Sequence, residues 1–411
     1  MELFLTVFPF VYVNKNKNDT IFYNTISGDS IRFQNNSFIS EIASRLEQQD
    51  YACIVGEDEI TQLNQVNFFT LLVEKNLGYY INKEHFSILP VSTQSVDIND
   101  SKIVSSFKNN EDIIENLREV TFYINSSICS LTCANQATFH KAYKQFLFPK
   151  CELQKNDLAL SKIEKVIYEI GIHNVNINVL GGNTFDYPQY ESLINLLNKS
   201  THNIFYYFHY TDLEKENSQQ LFSLLNKNDT KTVLVDFPFH EEYFIKWKKF
   251  IEEKNIQFEF IVESDSHINK AENIISKFGI QNYHFKPFYN ENNFDFFKEN
   301  VFISEEDILS VKESLFELIT KKISNPSFFG KLTFDVHGNV YSNVNLPIIS
   351  SIDNLNLKHL IYELITDDNS IWLSSRIKVE PCNKCIYNLL CPPISNYETT
   401  FGQNNLCYLN N

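Results

Sequence analysis

Val120-Thr-Phe-Tyr-Ile-Asn125-Ser-Ser-Ile-Cys129-Ser-Leu-Thr-Cys133-Ala-Asn-Gln136 is the stretch on which the fold turns. Its first half is β-branched and aromatic, so it reads as a buried strand running into a loop that carries two cysteines. Five more strand candidates follow: Val175–Leu180, Ile204–Tyr210, Thr232–Phe237, Phe258–Val262 and His284–Pro287. Amphipathic helices lie between them, at Leu158–Ile170, Tyr190–Leu197, Ser218–Leu225, Glu241–Glu253 and Ile268–Phe278. A strand-then-helix alternation predicts parallel strands joined by crossover helices. Six such units suggest a partial (β/α) barrel, with a flat doubly wound sheet as the competing architecture.

Outward from this α/β centre, residues 1–90 read as a small unit. Short strands at Phe10–Val13, Ile21–Asn24 and Ser30–Phe33 precede a helix with Ile39, Ile42 and Leu46 on one stripe. Tyr51–Val55 and a helix through Phe68, Leu71, Leu72 and Leu77 complete it, at winged-helix size. Residues 91–118 are polar and read as a linker with a short helix. From residue 330, Lys331 to Tyr341 reads as a hairpin with Gly338-Asn339 near its turn, followed by a helix around Leu357–Leu364.

The chain has 411 residues with 43% hydrophobic and 21% charged, enough for two or three domains. Its formal net charge is -16, which repels phosphate backbones, so nucleic acid is not an expected partner. No apolar run is long enough to span a bilayer. The apolar start precedes Lys15 and Lys17, the reverse of a secretory signal, so a cytoplasmic protein without a membrane partner is expected. The many Phe, Tyr, Lys, Asn and Ile residues match the usage of an AT-rich genome and are not read as a stacking surface. No glycine-rich phosphate loop, Ser–His–Asp order or carboxylate pair stands out.

Of eight cysteines, four fall near the end: Cys382-Asn-Lys-Cys385, then Cys391 and Cys407. A C-x2-C pair brings two thiolates to one metal from a tight turn, and two more sulfurs complete a set suited to zinc or an iron–sulfur cluster. Cys53 lies in an apolar run and reads as core. Ser304-Glu-Glu-Asp307 reads as a helix start, where acidic charge suits the dipole.

These parts in this order resemble the pseudo-radical-SAM/SPASM proteins of GG-type systems that mature ribosomally made peptides. The resemblance implies a leader-recognition unit of winged-helix type (1–90), a radical S-adenosylmethionine barrel (119–329) and a SPASM auxiliary-cluster domain (330–411). The family's C-x3-C-x2-C motif follows the first strand; here it reads Cys129, Cys133 and Gln136, and a neutral amide is a poor iron ligand. Cys151 is the nearest substitute thiol. The family's G-G-E motif, which engages the methionine ammonium, reads Gly181-Gly182-Asn183 and has lost its charge. Both cofactor motifs are thus degenerate, and S-adenosylmethionine is not expected as a cofactor.

In the tail, two family cysteine positions are Asn343 and Ser395, both belonging to the inner auxiliary cluster. The outer set Cys382, Cys385, Cys391 and Cys407 is intact, which implies one [4Fe–4S] cluster, with zinc as the other option. The expected role is a non-catalytic partner that binds a precursor peptide, an intact radical maturase, or both. Peptide capture by strand addition beside Ser30–Phe33 suits the first unit. The alternative is an active radical-SAM peptide-modifying enzyme with a non-standard third ligand.

Overall fold

A computed structural model describes residues 2–17, 19–48, 52–85, 113–128, 135–214, 217–251 and 256–409. The N-terminal segment carries two three-stranded antiparallel sheets. One has the order β5-β1-β6, from Ala52–Val55 (β5), Leu3–Val7 (β1) and Gly78–Asn82 (β6). The other joins Val11–Lys15 (β2), Thr20–Asn24 (β3) and Ser30–Phe33 (β4) in chain order. Helices α1 (Ser37–Gln48), α2 (Glu57–Gln65) and α3 (Phe68–Glu74) complete it. Successive side chains of a strand point to opposite faces. Val11, Val13, Phe22, Ile31 and Phe33 therefore pack with the helical residues Ile39, Ile42, Leu46 and Phe68. The alternate residues Tyr12, Ile21 and Tyr23 belong to a different cluster, with Ile308, Leu318 and the tail residues Ile386 to Cys391. The second sheet is thus covered on both faces.

The centre is a nine-stranded, mostly parallel sheet. Glu119–Tyr123 (β7), Asn176–Leu180 (β10), Asn203–His209 (β11), Thr230–Val235 (β12), Ile256–Val262 (β13) and Tyr283–Pro287 (β14) pair in sequence, each parallel to the last. Over these six strands the order runs one way, without the mid-sheet switch of a doubly wound arrangement. The crossover helices Leu160–Ile170, Tyr190–Asn198 and Asp265–Phe278 share one apolar cluster with Val120, Phe122, Ile177, Val179, Phe208 and Phe260.

The hairpin expected from residue 331 is present as Lys331–Phe334 (β15) and Asn339–Tyr341 (β16), turning at Gly338 with φ +84°. Its place differs from a separate tail domain. β15 pairs in parallel with β7 and extends the central sheet, with Ser350–Ser351 (β17) beyond β16. The other face of the sheet carries the helix Asn135–Gln145, whose Ala142 and Tyr143 pack on Leu234, Ile261, Tyr123 and Leu180. Of the segment 91–118, residues 113–118 are described and begin with a 3-10 turn at Ile113–Asn116. Among the described residues no helix is long and apolar enough to cross a membrane.

Candidate functional site

Cys129 and Cys133 lie outside the described residues. Gln136, expected in a loop, belongs instead to the helix Asn135–Gln145. That segment follows the C-terminal end of β7, where ligands of parallel α/β sheets gather. Cys151, in the short strand Cys151–Glu152 (β9) that pairs with Ser127–Ile128 (β8), is disulfide-bonded and so offers no free thiolate.

Gly181 and Gly182 follow β10 and are packed against this chain's own backbone. A Cβ on Gly182 would lie 1.9 Å from the amide nitrogen of Ser127, and one on Gly181 would lie 1.9 Å from Oδ1 of Asn125. Asn125 locks the turn: Oδ1 accepts from the Gly182 N–H at 3.0 Å, and Nδ2 donates to the Asn183 carbonyl at 2.7 Å. The Asn183 side chain caps its own turn by accepting from the Phe185 N–H at 3.0 Å. The approach that glycines permit is therefore taken by protein. Above the same strand ends, the Tyr143 ring lies 5.0 Å from that of Tyr123, and Val336 closes over them with Leu180. Gln145 exchanges two hydrogen bonds with the Tyr289 backbone, at 2.8 and 3.0 Å, which ties this helix down on the β14 side.

A second polar group at this end was not foreseen from the sequence. His209 closes β11, with Nε2 3.0 Å from Asp236 Oδ1 and Nδ1 2.7 Å from Thr211 Oγ1. Asp212 accepts from the His209 N–H at 2.9 Å. Burial pushes the Asp212 carboxyl up to about 7, against the opposing pull of His209. For His209, burial favours the neutral ring, yet Asp236 outweighs it and raises the imidazole.

The tail brings its four cysteines together, while Cys53 is buried in β5 as the sequence suggests. Cys382, Cys385, Cys391 and Cys407 line one cavity with Arg376, Asn388 and Leu406. Cys382 opens a 3-10 turn whose next thiol is Cys385, with the Cys385 N–H bonded to the Cys382 carbonyl at 3.0 Å. Cys407 arrives through a bridge between its backbone and that of Ile303. Cys382, Cys391 and Cys407 are buried. Burial raises the thiols of Cys382 and Cys385, and pushes Cys391 up to about 12. These groups stay protonated unless a cation replaces the proton.

One cation is already adjacent. Arg376 donates to Cys382 Sγ at 3.5 Å, to the Asn404 carbonyl at 2.7 Å and to both Glu398 oxygens at 2.9 and 3.2 Å. The Tyr387 N–H points at Cys385 Sγ at 3.5 Å. Burial opposes the Arg376 charge, but Glu398 and the neighbouring thiols raise its pKa further. The Arg376–Glu398 pair escaped the sequence reading. The Ser395-Asn-Tyr-Glu398 spacing is a capping box and marks Glu398 as the first turn of a helix, but nothing local marks its partner.

Four sulfur donors around one cavity, with N–H and guanidinium groups to balance thiolate charge, fit a thiophilic metal. Among the described residues no group of three or more His, Cys, Asp or Glu is drawn into coordinating geometry. The cavity that these residues line has a free volume of about 10 Å³. A single ion and a four-iron cluster alike would therefore require the four thiols to rearrange around them.

No family model matches the sequence, and no curated protein matches it. Three solved structures are similar over nearly the whole chain. Streptococcus suis SuiB bound to precursor peptide SuiA has 13% identity, covers 98% of both chains and gives a TM-score of 0.49. SuiB bound to S-adenosylmethionine has 13% identity, with 98% of this chain and 97% of that chain covered and a TM-score of 0.46. SuiB alone has 12% identity, the same coverage and a TM-score of 0.40.

Proposed function

We propose that this protein is a non-catalytic partner in the maturation of a ribosomally made peptide. It binds the precursor on its N-terminal unit, docks on an intact radical maturase, and carries one metal centre in its tail. The observation that carries the reading is the Gly181-Gly182-Asn183 turn. Asn125 and the Ser126–Ser127 backbone fill the approach to both glycines, and the Asn183 amide is spent on its own turn. A partial barrel with that turn filled and Tyr143 over its strand ends keeps the scaffold of a radical enzyme while offering S-adenosylmethionine no cradle.

The peptide site is the outer edge of β4. Among the described residues no backbone hydrogen bond joins that edge to another segment, and an unpaired edge accepts an extended peptide as a further strand. Cys382, Cys385, Cys391 and Cys407 hold the metal, a [4Fe–4S] cluster by family pattern or zinc by donor set. In either form the metal supplies folding energy to a segment of short turns.

Anaerobic reconstitution with iron and sulfide, followed by reductant and S-adenosylmethionine, tests the reading. Metal bound by the tail thiols with no 5′-deoxyadenosine formed is the expected result. Multiple-turnover release of 5′-deoxyadenosine would establish the active enzyme instead.

A further inference from the structure

The loop that carries the thiols is also the support of the N-terminal sheet. Asn14, on β2, donates through Nδ2 to the Ile386 carbonyl at 2.8 Å, to the Cys385 carbonyl at 3.4 Å and to Asn388 Oδ1 at 3.0 Å. Ile21 and Tyr23 of β3 pack in one cluster with Ile386, Tyr387, Leu389, Leu390 and Cys391. On β4, the Arg32 guanidinium lies 5.3 Å over the Tyr387 ring and forms an ion pair with Glu305. Glu305 in turn accepts from the Tyr387 hydroxyl at 2.6 Å, and the Tyr387 N–H points at Cys385 Sγ. An unbroken path of contacts therefore runs from a sulfur of the tail to the strand with the open edge.

The loop has little regular structure and is held by turn hydrogen bonds and by its packing on the sheet. Between Cys382 and Cys391 its only regular element is the 3-10 turn Cys382–Lys384. A metal bound by four thiolates would fix where Cys385, Ile386 and Tyr387 sit, and with them Asn14 and Arg32. The β5-β1-β6 sheet contributes no residue to this shared cluster.

We infer that metal occupancy at the tail thiols sets the order of the β2-β3-β4 sheet, so that metal and a peptide strand on the β4 edge bind cooperatively. The inference rests on the reading that these thiols hold a metal and that β4 takes the peptide. By linkage the coupling is reciprocal, and a strand added to β4 slows loss of the metal. Asn14 and Arg32 are positioning residues, since neither touches the metal.

Hydrogen exchange of the full chain, compared with and without metal after chelation, tests this without a peptide ligand. Stripping the metal is expected to speed amide exchange in β2, β3 and β4 by tenfold or more and leave β1, β5 and β6 unchanged. Faster exchange confined to residues 376–409, with metal loss confirmed by elemental analysis, would overturn the coupling alone. A chain that takes up neither iron nor zinc would overturn the coupling together with the reading beneath it. A double variant, Asn14→Ala with Arg32→Gln, keeps all four thiols. It should retain its metal while β4 exchanges fast in both states; metal-dependent β4 exchange persisting in that variant would also overturn the coupling.

Discussion

The hydroxyl of Tyr12 donates to Oδ1 of Asn388 at 3.0 Å, a buried hydrogen bond between residues 376 positions apart. The same oxygen accepts from Asn14 Nδ2 at 3.0 Å and from the Leu389 N–H at 2.8 Å. One side-chain oxygen thus organises the seam between the first and last parts of the chain. Tyr12→Phe removes one of its three donors and should cost about 1 kcal/mol. Asn388→Ala removes the acceptor that all three share, although Asn14 keeps the Ile386 carbonyl, and should cost about 2–3 kcal/mol. Urea midpoints with unchanged slope would check both; equal costs would show that Asn388 is not the hub.

The Arg376–Glu398 pair is almost fully buried, with side chains 7% and 4% exposed. Removing one partner strands the other charge. Glu398→Gln should therefore destabilise by about 3–5 kcal/mol, far more than loss of an exposed pair. A thermal melt of the variant shifted by no more than one of Lys384→Ala, whose partner Glu380 is exposed, would contradict this.

Six strands of the central sheet are legible in the sequence to within two residues at each end. β7, β10 and β12 are buried on both faces, which forces apolar and aromatic runs, whereas the partly exposed β14 is marked by its aromatic residues and the proline that ends it. The crossover helices Leu160–Ile170 and Tyr190–Asn198 are equally clear from their stripes. The segment Glu241–Glu253 was read as one helix. It is a short helix at Glu241–Phe244 followed by a 3-10 stretch, Ile245–Phe250, that buries Trp247 and Phe250 against the sheet. Tertiary packing of large rings decides this, and periodicity does not report it. β15 reads correctly as half of a hairpin, but its choice of β7 as neighbour, more than two hundred residues earlier, has no local signature. β6 was missed because Leu77 continues the apolar stripe of the preceding helix. The tail thiols are legible from spacing alone, whereas the role of Asn125 in filling the glycine turn is visible only when β7 and β10 lie side by side.

Gly182→Ala should be among the most damaging small changes in the protein. The new methyl would meet Ser127 backbone at 1.9 Å, and no flexible side chain is there to yield. A loss of more than about 4 kcal/mol, or failure to fold, is expected. Gly279→Ala serves as the comparison: a Cβ there meets nothing within 4 Å, and only the left-handed φ of +68° opposes it, for about 1–2 kcal/mol. Comparable stability of the two variants would mean that the turn has room.

Asp212 makes stability depend on pH in a defined direction. Its carboxyl titrates at about 7 when folded, above its ordinary 3.8, so the folded chain holds a proton that the unfolded chain has released. Stability from this group is full below about pH 4 and is lost as pH rises through about 7. The raised imidazole of His209 acts in the same direction, losing its contribution as pH climbs past its own folded pKa. Asp212→Asn keeps an oxygen for the His209 N–H and removes the titration. The melting temperature of the variant relative to the parent should rise between pH 5 and pH 8; a difference that stays constant over that span would refute the assignment.

Cys385→Ser should lose the tail metal, seen by elemental analysis and, for iron, by visible absorbance. Cys129→Ser and Cys133→Ser should retain it, because Gln136 supplies no third thiolate to their motif. Equal metal loss in Cys129→Ser and Cys385→Ser would favour the active enzyme.

The covering of the β2-β3-β4 sheet has a consequence for how the chain is made. Translation delivers Tyr12, Ile21 and Tyr23 early, yet the residues that cover them, Ile308 to Cys391, leave the ribosome some three hundred residues later. At roughly 5–20 residues per second, that face stays wet for about 15 seconds or longer. A nascent chain of this protein therefore carries an aromatic patch that a chaperone or the docking partner must shield, and slow codons placed between the two segments would lengthen the exposure.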